Sequence, residues 1–160
     1  MVIDTSDCFP QPGDRIEAAE DGRVESLRAA ERLGRPAVKA WNAALAGTSQ
    51  TRGVPAAPPG RSALPVAADS GEARHVGMRL VDESGFDPYD AGAPADSWRR
   101  QPMTPAYCTE PSPRDPEQAL AAADRSAAPR HRDRRTSRFA TLTSAPTPEE
   151  AVEPDRRPHG

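Results

Sequence analysis

The chain has 160 residues, 21 basic and 24 acidic, for a formal net charge of −3, and 36% of it is nominally hydrophobic. Alanine supplies 28 of those hydrophobic residues while Ile, Leu, Val and Phe together supply 20, below the roughly one-fifth share expected of a chain that builds a core. With 19 prolines and 11 glycines besides, this composition argues against an ordinary enzyme scaffold and predicts a mostly intrinsically disordered chain with marginal all-α elements.

The basic residues are 20 arginines and one lysine, Lys39, and Asn42 is the only asparagine. Ala, Arg, Pro and Gly share GC-rich codon families, which points to a GC-rich bacterial coding sequence. A GC-rich reading frame translated without function would carry the same bias. The first residues, MVIDTSDCFP, show no basic then apolar leader pattern, and the longest run of alanine and larger apolar residues is 119–123. Both are expected of a cytoplasmic protein. Cys8 and Cys108 stand a hundred residues apart, without the spacing of a disulfide framework or zinc site.

In chain order, residues 14–46 read as a marginal helical hairpin. Asp14 and Glu17 have capping-box spacing, and Ile16, Val24, Leu27 and Leu33 follow a helical pattern to a stop at Gly34. Pro36 then fits the first position of a second helix, with Val38, Trp41 and Leu45 on one face. Residues 47–74 contain four prolines and four glycines and read as a linker. In the extended segment 75–110, Val76, Met78 and Leu80 alternate as in a short strand, which is unstable in isolation. Asp87-Pro88 carries a turn signal between Phe86 and Tyr89. Residues 115–128 read as a short Ala-rich helix entered at Pro116. Residues 129–160 form an Arg-rich and then acidic tail.

The functional expectations follow from those segments. Clustered aromatics in a chain without a core are anchors for a protein partner, so Trp41, Phe86, Tyr89 and Trp98 are the candidate protein-binding residues. The alternative is nucleic-acid or polyanion binding through Arg130, Arg132, Arg134, Arg135 and Arg138, whose guanidinium forks match phosphate. His75, His131 and His159 share no metal-ligand spacing, and no phosphate loop, dinucleotide fingerprint or nucleophile elbow occurs. The expectation is therefore a non-enzymatic interaction protein with no catalytic residues, metal, cofactor, small-molecule substrate or membrane association.

Overall fold

The computed structural model describes residues 1–7, 23–54, 61–102, 104–108 and 116–127, with Ser137 and Thr141 singly. Among them run, in order, β1 (Val2–Asp4), α1 (Glu25–Leu33), β2 (Ala37–Lys39), α2 (Ala46–Thr51), β3 (Ala63–Val66), α3 (Gly71–Glu83), β4 (Asp87–Asp90), a 3-10 helix (Pro94–Arg100), α4 (Pro116–Ala121) and a 3-10 turn (Arg125–Ala127). This is an α/β architecture, and it overturns the expectation of a mostly disordered, marginally all-α chain.

Strands pair in parallel within two small sheets. Val2, Ile3 and Asp4 face Ala37, Val38 and Lys39 in the first. Ala63 through Val66 face Asp87 through Asp90 in the second. An antiparallel bridge joins the sheets: Lys39 N–H donates to the Ala67 carbonyl at 2.9 Å and Ala67 N–H returns the bond at 3.0 Å. Lys39 is the last residue of β2 and Ala67 follows the last residue of β3. The bridge therefore sets the carboxyl ends of both pairs side by side. Each parallel pair requires a crossover, as parallel strands always do, and α3 makes the one between β3 and β4.

The hairpin expected over 14–46 does not form in the described part. Gly34 does end α1, at φ 61, with its N–H on the carbonyls of Ala30 and Glu31. The chain beyond it enters β2 rather than a second helix. Arg35 precedes proline, which disfavours helix there, and all three β2 residues are buried, as suits a strand covered on both faces. The i, i+3, i+7 spacing of Val38, Trp41 and Leu45 is therefore not a helix face. Residues 14–22 lie outside the described residues.

The segment 75–81, expected as a strand, is the body of α3. Ser70 caps it in an extended conformation, its hydroxyl accepting from Ala73 N–H at 3.1 Å. The linker expected over 47–74 contains most of α2 and the mostly buried β3, and Asp87-Pro88 lies within β4 rather than in a turn. Helix α4 starts at Pro116 and ends at Ala121, short of the expected 128.

The core gathers Val38 and Ala40 from β2 and its exit, Leu64, Val66 and Ala68 from β3 and its exit, Val81 from α3, and Phe86. Alanine fills much of it: Ala40, Ala67 and Ala68 are at most 1% exposed. Gly77 shows why small residues suffice. A Cβ there would lie 2.7 Å from Val38 Cγ1 and 3.0 Å from Val66 Cγ1, so its absence lets α3 settle onto β2 and β3 together. Arg61 closes the unit at its entrance, donating to the Asp82 carboxylate (2.7 Å) and to the carbonyls of Asp82 (2.7 Å) and Phe86 (2.6 Å).

Candidate functional site at the carboxyl ends of β1 and β2

The carboxyl ends of β1 and β2 carry charge into the interior. Asp4 ends β1, Lys39 ends β2, and the two meet at 3.1 Å with the Lys39 side chain fully buried. Lys39 also donates to the Ser6 carbonyl. Burial alone would raise the Asp4 carboxyl. The hydroxyl and backbone N–H of Ser6, together with the Lys39 ammonium, outweigh it and hold the group below its ordinary value.

Beyond β2 the backbone turns through Trp41 at φ 61, a left-handed conformation that side chains other than glycine seldom adopt. The turn directs Asn42 inward, where its amide nitrogen donates to the Asp7 carboxylate at 3.2 Å and to the Arg100 carbonyl at 3.0 Å. Arg100, the last residue of the 3-10 helix, is 0% exposed. Its Nη2 donates to the Lys39 carbonyl at 3.0 Å. Its Nε and Nη1, and the Asn42 Oδ1, are buried without a hydrogen-bond partner among the described residues. The 3-10 helix is itself pinned to α1 by a buried contact between the Ser26 and Ser97 hydroxyls at 2.7 Å.

Tyr107 and Cys108 close the site, Cys108 N–H donating to the Ala43 carbonyl at 3.0 Å. Cys108 is buried at φ 47, while Cys8 lies outside the described residues. Burial pushes the Asp7 carboxyl up to about 7. Glu25 adds to that rise, and Lys39, Asn42 and Tyr107 oppose it. Burial also lowers Arg100 to about 10 against the pull of Asp7 and Asp4, so it stays charged at neutral pH. Burial, then the Asp7 charge, pushes the Tyr107 hydroxyl well above its ordinary value, so it remains a neutral phenol.

The residues expected to bind a protein partner are dispersed. Phe86 is 1% exposed, at the heart of the core, and in this conformation presents no surface to a partner. Trp41 packs partly buried against the same core and donates through Nε1 to the Ser84 hydroxyl at 3.3 Å. Tyr89 is half-buried in β4. Trp98, also half-buried, has the Arg99 guanidinium 4.4 Å from its ring centre and that of Arg125 at 5.7 Å. Arg130, Arg132, Arg134, Arg135 and Arg138 lie outside the described residues. Among the described residues, no helix is long and apolar enough to cross a membrane, and no group of three or more His, Cys, Asp or Glu is placed to hold a metal ion.

The buried polar cluster was not among the residues expected from sequence. Its one available signal was compositional: the single lysine and single asparagine of the chain, Lys39 and Asn42, both belong to it.

Comparison with known proteins supports the fold. No family model matches the chain. It is 51% identical over 51 residues to YjhV of Escherichia coli (strain K12), an overlap of 32% of this chain and 37% of that protein. It is similar to the crystal structure of a hypothetical protein, SMa0349, from Sinorhizobium meliloti, with a TM-score of 0.51 and 26% identity over 62% of this chain and 48% of the other. The chain thus spans little more than a third of the curated relative and about half of the solved neighbour.

Proposed function

We propose that the chain is an α/β small-molecule-binding module that recognises an oxyanion, a carboxylate or phosphate, at the carboxyl ends of β1 and β2. The observation that carries this reading is Arg100, a fully buried guanidinium with two nitrogens lacking partners among the described residues. A buried polar group left without a hydrogen bond costs about 1–3 kcal/mol, more when charged, and such groups call for an explanation. A planar guanidinium fork is the side chain best matched to carboxylate and phosphate. Its position agrees with the rule that ligands of open α/β sheets sit outside the carboxyl ends of the strands. The surrounding desolvated groups, with Asp7 and Tyr107 both shifted, are also characteristic of functional sites.

Calorimetric titration of the full chain with sulfate, oxalate and a nucleoside monophosphate tests the reading. Saturable binding of at least one, lost in Arg100→Met, is expected. Identical binding by wild type and Arg100→Met, or none to either at millimolar concentrations, would overturn it.

A second reading keeps part of the protein-docking expectation and rests on Trp98, a half-exposed indole beside two guanidinium groups. Arginine and tryptophan are favoured interface anchors. If that surface mediates association, Trp98→Ala abolishes chemically crosslinked complexes of the chain that persist in high salt; crosslinking unchanged by the substitution removes this reading.

A further inference from the structure

We propose that oxyanion binding at Arg100 draws one proton from solvent onto Asp7, so that ligand affinity is set by pH through this carboxyl. The inference rests on the oxyanion reading above and specifies how the same site is regulated.

Asn42 links the two residues physically. Its amide nitrogen donates both to the Asp7 carboxylate at 3.2 Å and to the Arg100 carbonyl at 3.0 Å. Asp7 thus sits one side chain away from the backbone of the residue that offers the unpartnered guanidinium nitrogens. Lys39 does not neutralise Asp7 by direct contact, because its ammonium is held by Asp4 at 3.1 Å and by the Ser6 carbonyl.

The groups acting on Asp7 from the surrounding elements are Glu25 at the start of α1, Lys39 at the end of β2, itself paired with Asp4 at the end of β1, Arg100 at the end of the 3-10 helix, and the neutral Tyr107 phenol. Ionised Asp7 places a carboxylate beside that of Glu25, while Lys39 is already paired with Asp4. An uncompensated buried charge is unfavourable. Its carboxyl, already raised by burial to about 7, is divided between the two forms near neutral pH.

An oxyanion accepting from Arg100 adds negative charge to this cluster. The bound site carries one negative charge fewer with Asp7 protonated than with Asp7 ionised. The proton adds to a carboxylate oxygen of Asp7, water or buffer supplies it, and no other bond changes. By linkage, uptake of one proton weakens binding by at most tenfold for each unit of rising pH.

The probes are sulfate and oxalate, neither of which titrates between pH 6 and 8.5. They also separate a phosphate-like ligand from a carboxylate. Calorimetry of the full chain in two buffers of different ionisation enthalpy is expected to show uptake of a fraction of a proton near pH 7.5. The Kd should weaken severalfold between pH 6 and 8.5. Asp7→Asn, which carries a permanently neutral side chain, should lose both the uptake and the pH dependence. A resonance-assigned titration of the wild-type Asp7 carboxyl carbon keeps the test valid if that variant fails to fold: its midpoint should rise when sulfate or oxalate is added. Binding with no proton uptake and an unmoved Asp7 midpoint would overturn the proton coupling and leave the oxyanion site standing. A pH dependence that survives Asp7→Asn would do the same. Failure of both probes to bind at any pH would overturn the oxyanion reading and this inference with it.

Discussion

Two halves of the molecule meet at the Lys39–Ala67 bridge, and they are built from opposite materials. The β3–α3–β4 half packs Leu64, Val66, Val81 and Phe86 tightly, with Gly77 admitting the helix to the sheet. The β1–β2 half buries Asp4, Lys39, Asn42 and Arg100 where a core would ordinarily place aliphatic side chains. Close packing stabilises the first. The second contains a buried ion pair, buried polar atoms without partners and a tryptophan in a left-handed conformation, each of which costs stability. Such features cluster at functional sites, and the β1–β2 half holds the larger share. Its ion pair is buried on both sides and its fully buried guanidinium has two nitrogens without partners, whereas the β3–α3–β4 half adds single nitrogens of Arg61 and Arg74 among the described residues.

That contrast can be broken from either side. The largest loss is expected in the scaffold: Phe86→Ala should destabilise by about 3–5 kcal/mol, the range for emptying a buried aromatic site, measured by urea unfolding. On the polar side, Lys39→Met leaves Asp4 buried and uncompensated and should cost a comparable amount, about 3–5 kcal/mol. Adding Asp4→Asn should return much of that loss, whereas simple additivity of the two substitutions would remove the buried pair from the account. Gly77→Ala should cost about 1–3 kcal/mol through overpacking against Val38 and Val66. An increase in unfolding midpoint would show that the helix has room to shift.

Smaller effects distinguish the halves by pH. The folded-state value for Asp7, about 7, lies above the ordinary carboxylate value near 4. The folded protein therefore holds a proton there that the unfolded chain releases. The stability this contributes is full below about pH 4, falls as pH rises toward 7 and is gone above it. The lowered Asp4 group acts with the opposite sign, losing its contribution only as pH falls below about 4. Urea midpoints between pH 5 and 8 should therefore decline in the wild type and less so in Asp7→Asn; equal slopes would remove Asp7 as the source. Arg100→Met should cost less than Lys39→Met, about 1–3 kcal/mol, because two orphaned nitrogens leave with the charge while the bond to the Lys39 carbonyl and a cation beside Asp7 are lost. A loss of several kcal/mol would instead make Arg100 a structural residue.

Parts of this organisation were legible in the chain. Gly34 and Pro116 mark a helix end and a helix start where the backbone requirements of those residues place them. Helix α3 was not legible as a helix, because its inward face is Ala73, Gly77 and Val81, and the first two barely register as hydrophobic. Val76, Met78 and Leu80 supplied a misleading period of two. The count of large apolar residues misled in the same way: a core that buries Ala40, Ala67 and Ala68 completely or nearly so needs fewer of them, since close backbone approach substitutes for side-chain volume. The site was hidden more thoroughly. Asp7, Lys39, Asn42, Arg100 and Tyr107 belong to four separate stretches, and no spacing relates them.

By itself, then, the sequence determined one helix end, at Gly34, and one helix start, at Pro116, because glycine and proline act on the backbone within a few residues. It also singled out Lys39 and Asn42 by their rarity. Only the tertiary structure decided that residues 37–39 and 63–66 become strands, and that Arg100 is buried beside Asn42 with hydrogen bonds unmade. Parallel pairing and charge burial both depend on partners tens of residues away, and their energy does not exist until those partners arrive.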